Sequence, residues 1–80
     1  MSGAIAMGTS ITTDQANFAK DVLEASYQKP VFVDFFATWC GPCQMLKPLL
    51  EKLVQEYDFV LAKVDIDQNQ ELAQAYDVQG

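Results

Sequence analysis

Apolar positions along this chain fall into two kinds of run. Residues 31–37, "VFVDFFA", and 59–66, "FVLAKVDI", are short, nearly continuous and rich in β-branched and aromatic side chains. In the first, Val31, Val33 and Phe35 alternate with Phe32 and Phe36, so both faces are apolar. That pattern predicts strands covered on both sides, as in a parallel α/β sheet. The other runs repeat at three and four residues, the helical spacing. Phe18, Val22 and Leu23 predict one face of a helix over about 14–26. Leu46, Leu49, Leu50 and Leu53 predict the core stripe of a helix over about 40–57.

Local signals punctuate these runs. Thr12 and Gln15 in "TTDQ" have the spacing of a capping box at the start of the first helix. Gln28-Lys29-Pro30 ends that segment, and "TWCGP" separates the 31–37 strand from the second helix. Pro48 lies inside the second helix and is expected to kink it, because it removes a backbone donor. A short strand is expected near Ser10–Ile11. The stretch "DQNQELAQAY", 67–76, predicts a last short helix with Asp67 or Asn69 near its cap. Strand, helix, strand, helix, strand, helix predicts right-handed βαβ units. Residues 1–8 are small and unpatterned. They read as a disordered tail or a vector-derived remnant, with one domain over 9–80.

Composition narrows the function. Half of the 80 residues are hydrophobic and 20% are charged, which suffices for one small core. There are 11 acidic and 5 basic residues, net −6, and every basic residue is a lysine. Nucleic-acid recognition uses basic patches and bidentate arginine, so it is excluded as an expectation, and anionic membranes are disfavoured too. No apolar stretch is long enough to span a bilayer, and no basic segment precedes an apolar one at the N-terminus. The expected location is the cytoplasm.

Both cysteines lie in "WCGPC", 39–43. A strand-to-helix turn there puts Cys40 at a helix N-terminus, where unpaired N–H groups and the helix dipole favour negative charge. The thiolate is the nucleophile of disulfide exchange. Cys43 lies almost one turn deeper, so an outer sulfur can attack a disulfide and an inner one can resolve the mixed disulfide. Gly41 permits a tight turn, and Pro42 suits the first helical turn. Two other chemistries stay open at this point. Zinc needs four ligands, which two cysteines and no histidine supply only if two chains share the metal. A structural disulfide across so short a loop gains little loop entropy.

"VDFFATWCGPC", Pro48 and "AKVDIDQN" together resemble the thioredoxin family, from about residue 9 to the last residue. The resemblance implies an α/β thioredoxin-like fold with parallel sheet order 1-3-2 in this portion. It implies protein dithiol–disulfide exchange with no cofactor beyond a redox-active Cys40–Cys43 disulfide. Its partners would be disulfide-containing protein substrates and a thioredoxin reductase-type electron donor. Residue by residue, Cys40 matches the attacking cysteine and Cys43 the resolving one. Asp34 matches a buried carboxylate that accepts a proton from the inner thiol, and Lys63 matches the lysine associated with it. Trp39, with Gly41 and Pro42, matches the substrate-contact surface. An acid among Val33, Phe35 and Phe36 on a covered strand is costly unless paired or protonated, and burial raises its pKa. The competing reading is an acid at an exposed strand end, or in a structural pair with Lys63.

The family's domain continues beyond the position of Gly80 with a cis-proline loop facing the disulfide, an antiparallel strand pair and a last helix. The resemblance therefore implies an incomplete fold, weak or inactive as an isolated chain. The 31–37 strand would be left as an edge, and such an edge invites homodimerisation by pairing or swapping. "ITTDQANFAKDVLEAS" is also similar to thioredoxin domains that head larger proteins with helical-repeat tails. That implies an alternative function, a non-catalytic protein-binding or co-chaperone module.

Overall fold

A computed structural model describes residues 7–78 of the chain. Three strands, β1 (Thr9–Thr12), β2 (Val31–Phe36) and β3 (Val60–Asp65), form a parallel sheet of order β1-β3-β2. Central β3 pairs Val60 with both Thr9 and Val31, and Lys63 with both Thr12 and Asp34. β3 is buried almost throughout, as its apolar sequence requires.

The crossover from β1 to β2 passes over β3, and the next one returns from β2 to β3. Connections of one hand then belong on opposite faces of the sheet. Packing follows that rule. Phe18 and Val22 of the first connection cluster with Ala62 and Val64 of β3, joined by Ile11, Val33 and Phe35. Leu50 and Val54 of helix α1 (Gly41–Glu56) cluster with Leu61 on the other face. Leu72 of the short helix α2 (Gln70–Ala75) joins the Phe18 side.

The first connection departs from its sequence pattern. Regular helix begins only at Ala19, as a π-helical segment Ala19–Glu24 that tightens into a 3-10 turn Ala25–Tyr27. The capping box does not form, because β1 extends through Thr12 and spends that residue on the ladder with Lys63. Thr13 and Asp21 take its place: the Thr13 hydroxyl donates to Asp21 Oδ2 at 2.9 Å. The Gln15 N–H goes to Asn69 Oδ1 at 2.9 Å, which ties this segment to the start of α2. Widening the helix changes which residues share a face, and Leu23 is 50% exposed while Phe18 and Val22 are buried.

Helix α1 matches its expected span to within a residue at each end, but its leucine stripe is not its core face. Leu50 and Val54 are buried, Leu53 is partly so, and Leu46 and Leu49 are exposed. The buried positions Leu50 and Val54 share helical spacing with two charges, half-buried Glu51 and exposed Lys47. β2 pairs with β3 alone among the described residues, and Phe32 on it is 49% exposed. Of residues 1–8, the first six lie outside the described residues. Met7 and Gly8 donate to the Gln55 and Val54 carbonyls. A side chain at Gly8 would overlap the Phe59 and Tyr57 carbonyl oxygens, so glycine is what lets the chain pass this close to the turn after α1.

Candidate active site

The carboxyl ends of β2 and β3 meet the amino end of α1, which is where ligands commonly bind in open α/β sheets. β2 ends at Phe36, and Ala37 is fully buried against Ile66 and Ala73. The Ala37 carbonyl accepts from the Cys40 N–H and from Gln44 Nε2, both at 3.1 Å. These bonds fix the turn that delivers Cys40 as the N-cap of α1, in extended geometry. The Cys40 sulfur accepts from the Cys43 N–H at 3.3 Å, the place a serine or aspartate oxygen takes in an ordinary cap. One of the helix's unpaired donors is thereby aimed at the sulfur that would carry negative charge.

Cys40 and Cys43 form a disulfide with a Cα–Cα distance of 5.3 Å, and no described cysteine is free. Among the described residues, no group of three or more His, Cys, Asp or Glu side chains is placed to hold a metal. Gly41 and Pro42 are exposed in the first turn of α1. Gly41 does not need glycine's backbone freedom, since its φ is not positive. A Cβ there would meet nothing within 4 Å, so glycine leaves bare backbone beside the sulfurs. Trp39 is 62% exposed yet held, because its indole N–H donates to Asp67 Oδ2 at 2.7 Å. Asp67 is in turn held by its own N–H, which donates to Asp65 Oδ1.

Asp34 lies on the α1 side of β2 and is 8% exposed. Burial pushes its pKa above the ordinary 3.8; Glu51 adds to the rise, while Lys63 and Lys47 oppose it. Lys63 is its Cα partner across the β2–β3 ladder. The Lys63 ammonium makes its ion pair with Glu51 Oε2, however, at 3.0 Å. The Ser10 hydroxyl donates to the same oxygen at 3.0 Å. Burial pushes Glu51 up as well, but the hydrogen bonds from Lys63 and Ser10 outweigh it and hold its pKa below 4.5. The structure thus brings Cys40 and Cys43 together at one helix end, with Trp39, Gly41 and Pro42 on the surface around them. It brings Asp34 and Lys63 together as ladder neighbours without a direct ion pair. Glu51, Lys47, Ser10 and Asp67 were not marked as site residues from sequence. No local signal marks Lys47 and Glu51, since a helix charge reads as solvated until the contact face is known.

A groove of about 330 Å³, bordered by Thr9, Lys20, Gln28 and Lys29, opens at the amino ends of the strands, away from the disulfide.

Comparison with known proteins agrees with this geometry. The thioredoxin family profile matches residues 9–80. The chain is 49% identical over 70 residues to a thioredoxin of Mycobacterium bovis, covering 85% of this chain and 59% of that one. It is 44% identical over 80 residues to a bifunctional thioredoxin reductase/thioredoxin of Mycobacterium leprae, covering 98% of this chain and 17% of that protein. It thus spans less than two thirds of either relative. Among solved structures, a mutant thioredoxin from Halobacterium salinarum superposes with a TM-score of 0.78 at 39% identity, covering 98% of this chain and 67% of that one. The Schistosoma mansoni thioredoxin gives a TM-score of 0.79 at 39% identity, covering 95% and 70%. Sheet order, a capped disulfide at a helix N-terminus and these matches converge: the chain belongs to the thioredoxin family, whose redox group is the active-site disulfide itself.

Proposed function

We propose that this chain carries protein dithiol–disulfide exchange within a domain over 9–80. The observation that carries the reading is the N-cap position of Cys40, whose sulfur receives the Cys43 N–H. A thiolate there is stabilised by the helix end and is the attacking group. Cys40 attacks one sulfur of a substrate disulfide. The substrate S–S bond breaks, a mixed disulfide forms, and one substrate thiolate leaves and takes up a proton. Cys43 gives its proton to the Asp34 carboxylate and attacks the Cys40 sulfur. The mixed disulfide breaks, the second substrate thiolate leaves, and the Cys40–Cys43 disulfide forms. Two electrons have passed to the substrate, and a thioredoxin reductase-type donor returns two electrons and two protons.

Burial supports Asp34 as the acceptor, because it raises the carboxyl's affinity for a proton. Lys63 tunes that affinity from the neighbouring strand. Exposure of Trp39, Gly41 and Pro42 supports their contact with substrate. The cytoplasm suits the chemistry, since exchange in this direction needs a reducing compartment. The open edge of β2 and exposed Phe32 support homodimerisation through that strand, and slow turnover by the chain alone.

Insulin reduction with dithiothreitol as electron source tests the reading. The full chain accelerates it above the reductant alone, and Cys40→Ser returns it to background. Undiminished turnover by Cys40→Ser overturns the reading. Equal binding of unfolded proteins by both forms, with turnover by neither, transfers it to the co-chaperone alternative.

A further inference from the structure

A buried carboxylate with a lysine opposite it on the next strand ordinarily takes that lysine as its partner. Here the lysine is otherwise engaged. Asp34 and Lys63 are partners in the ladder, on strands spaced about 4.8 Å apart, so both side chains stand on the α1 face. The Lys63 ammonium nevertheless contacts Glu51 Oε2 at 3.0 Å. That oxygen is fixed from a third element, because the Ser10 hydroxyl of β1 also donates to it at 3.0 Å. A helix, a central strand and an outer strand therefore converge on one carboxylate oxygen. The charges acting on Asp34 are Lys63 from β3, and Lys47 and Glu51 from α1. β1 contributes only the neutral Ser10, acting through Glu51.

We propose that Glu51 is a positioning residue for the exchange reaction: it holds the Lys63 ammonium off Asp34, leaving the buried carboxyl without a direct ion pair and able to exchange a proton with Cys43. This rests on the thioredoxin-type reading of the cysteine pair. Without Glu51, Lys63 still has Asp34 as its partner across the ladder. An ion-paired carboxylate binds a proton less well, so it becomes a weaker base toward the Cys43 thiol and resolution slows.

A double-mutant cycle tests the proposal, read by ¹³C NMR titration of the Asp34 carboxyl in the oxidised full chain. Glu51→Gln lowers the proton affinity of Asp34 about tenfold, through release of Lys63. In a Lys63→Met background the same substitution changes it less than about threefold, because no lysine is left to move. Equal drops in both backgrounds overturn the proposal, since Glu51 would then act only through its own charge. No drop in either overturns it as well. Should Glu51→Gln not fold, Lys63→Met alone decides. A rise of less than about threefold fits a lysine held away, and a tenfold rise contradicts it. The pH profile of single-turnover insulin reduction by Glu51→Gln moves to lower pH by the same factor as the titration; an unmoved profile denies Glu51 a part in the reaction. The titration needs no turnover. A wild-type chain that reduced no disulfide would sink the redox reading while leaving Glu51's hold on Lys63 measurable.

Discussion

Asp34 and Glu51 share one lysine, yet their surroundings drive them in opposite directions. Asp34 is buried on β2, and the cost of desolvating its charge outweighs the attraction of Lys63 and Lys47. Glu51 reaches the same lysine from α1 with its side chain 35% exposed, and two hydrogen bonds on one oxygen outweigh its smaller desolvation. Direct contact, rather than proximity to a cation, separates the two: the carboxylate that holds the lysine has its pKa lowered, and the one that does not has it raised. One lysine thereby makes a direct pair with Glu51 and leaves a buried acid unpaired beside it.

The largest expected effect falls on the buried member. Asp34→Asn removes the proposed proton acceptor while preserving shape. It slows resolution of the mixed disulfide about 10²-fold, or about 2.7 kcal/mol of barrier, measured by single-turnover insulin reduction. The same variant gains about 1–2 kcal/mol of folding stability at neutral pH in urea titration, because a buried charge is gone and Lys63 still has Glu51. A loss of stability would mean that Asp34 has a direct partner after all.

The structural member behaves the other way. Glu51→Ala costs about 1 kcal/mol of stability, the worth of its hydrogen bonds at a half-exposed site. The pH dependences separate the two acids further. With its pKa raised in the fold, Asp34 contributes stability that is full below pH 3.8 and is lost as pH rises through its folded midpoint. With its pKa lowered, Glu51 contributes stability that is present above pH 4.5 and is lost as pH falls through its folded midpoint. Asp34→Asn should remove a loss of stability on the alkaline side, and Glu51→Ala a loss on the acid side. Urea midpoints across pH, for both variants, check this. Ser10→Ala is the smallest change, about 0.5 kcal/mol, since Glu51 keeps Lys63.

Strands β2 and β3 were readable because their runs are largely apolar on both faces. The runs at 31–37 and 59–66 became β2 and β3 within a residue or so of their expected ends. Cys40 at the head of α1 was readable for a related reason, since a strand, a Gly-Pro pair and a helical repeat leave few ways to place it. Order β1-β3-β2 came from the family resemblance and not from the pattern itself. The capping box misled because Thr12 has two uses, and the ladder to Lys63 won over the helix end. Leucine spacing misled because a helix stripe says which residues align but not which stripe meets the sheet. Leu46 and Leu49 align well and stay exposed, while Leu50 and Val54 do the packing. Glu51 was invisible for the same reason. A charge in a helix reads as solvated until the contact face is known, and only then do Lys47 and Glu51 stand against Asp34. Trp39 was marked as a contact residue, but its tether to Asp67 spans 28 positions in sequence and leaves no local trace.

Everything proposed for the site depends on an asymmetry between two sulfurs three residues apart. Alkylation of the reduced chain by iodoacetamide across pH, with the labelled cysteine identified by mass spectrometry, measures that asymmetry directly. The account predicts that Cys40 alone is modified rapidly, at a pH well below the ~8.5 at which a free thiol half-ionises, and that Cys43 is protected. Two thiols reacting alike, each near that ordinary value, would contradict it.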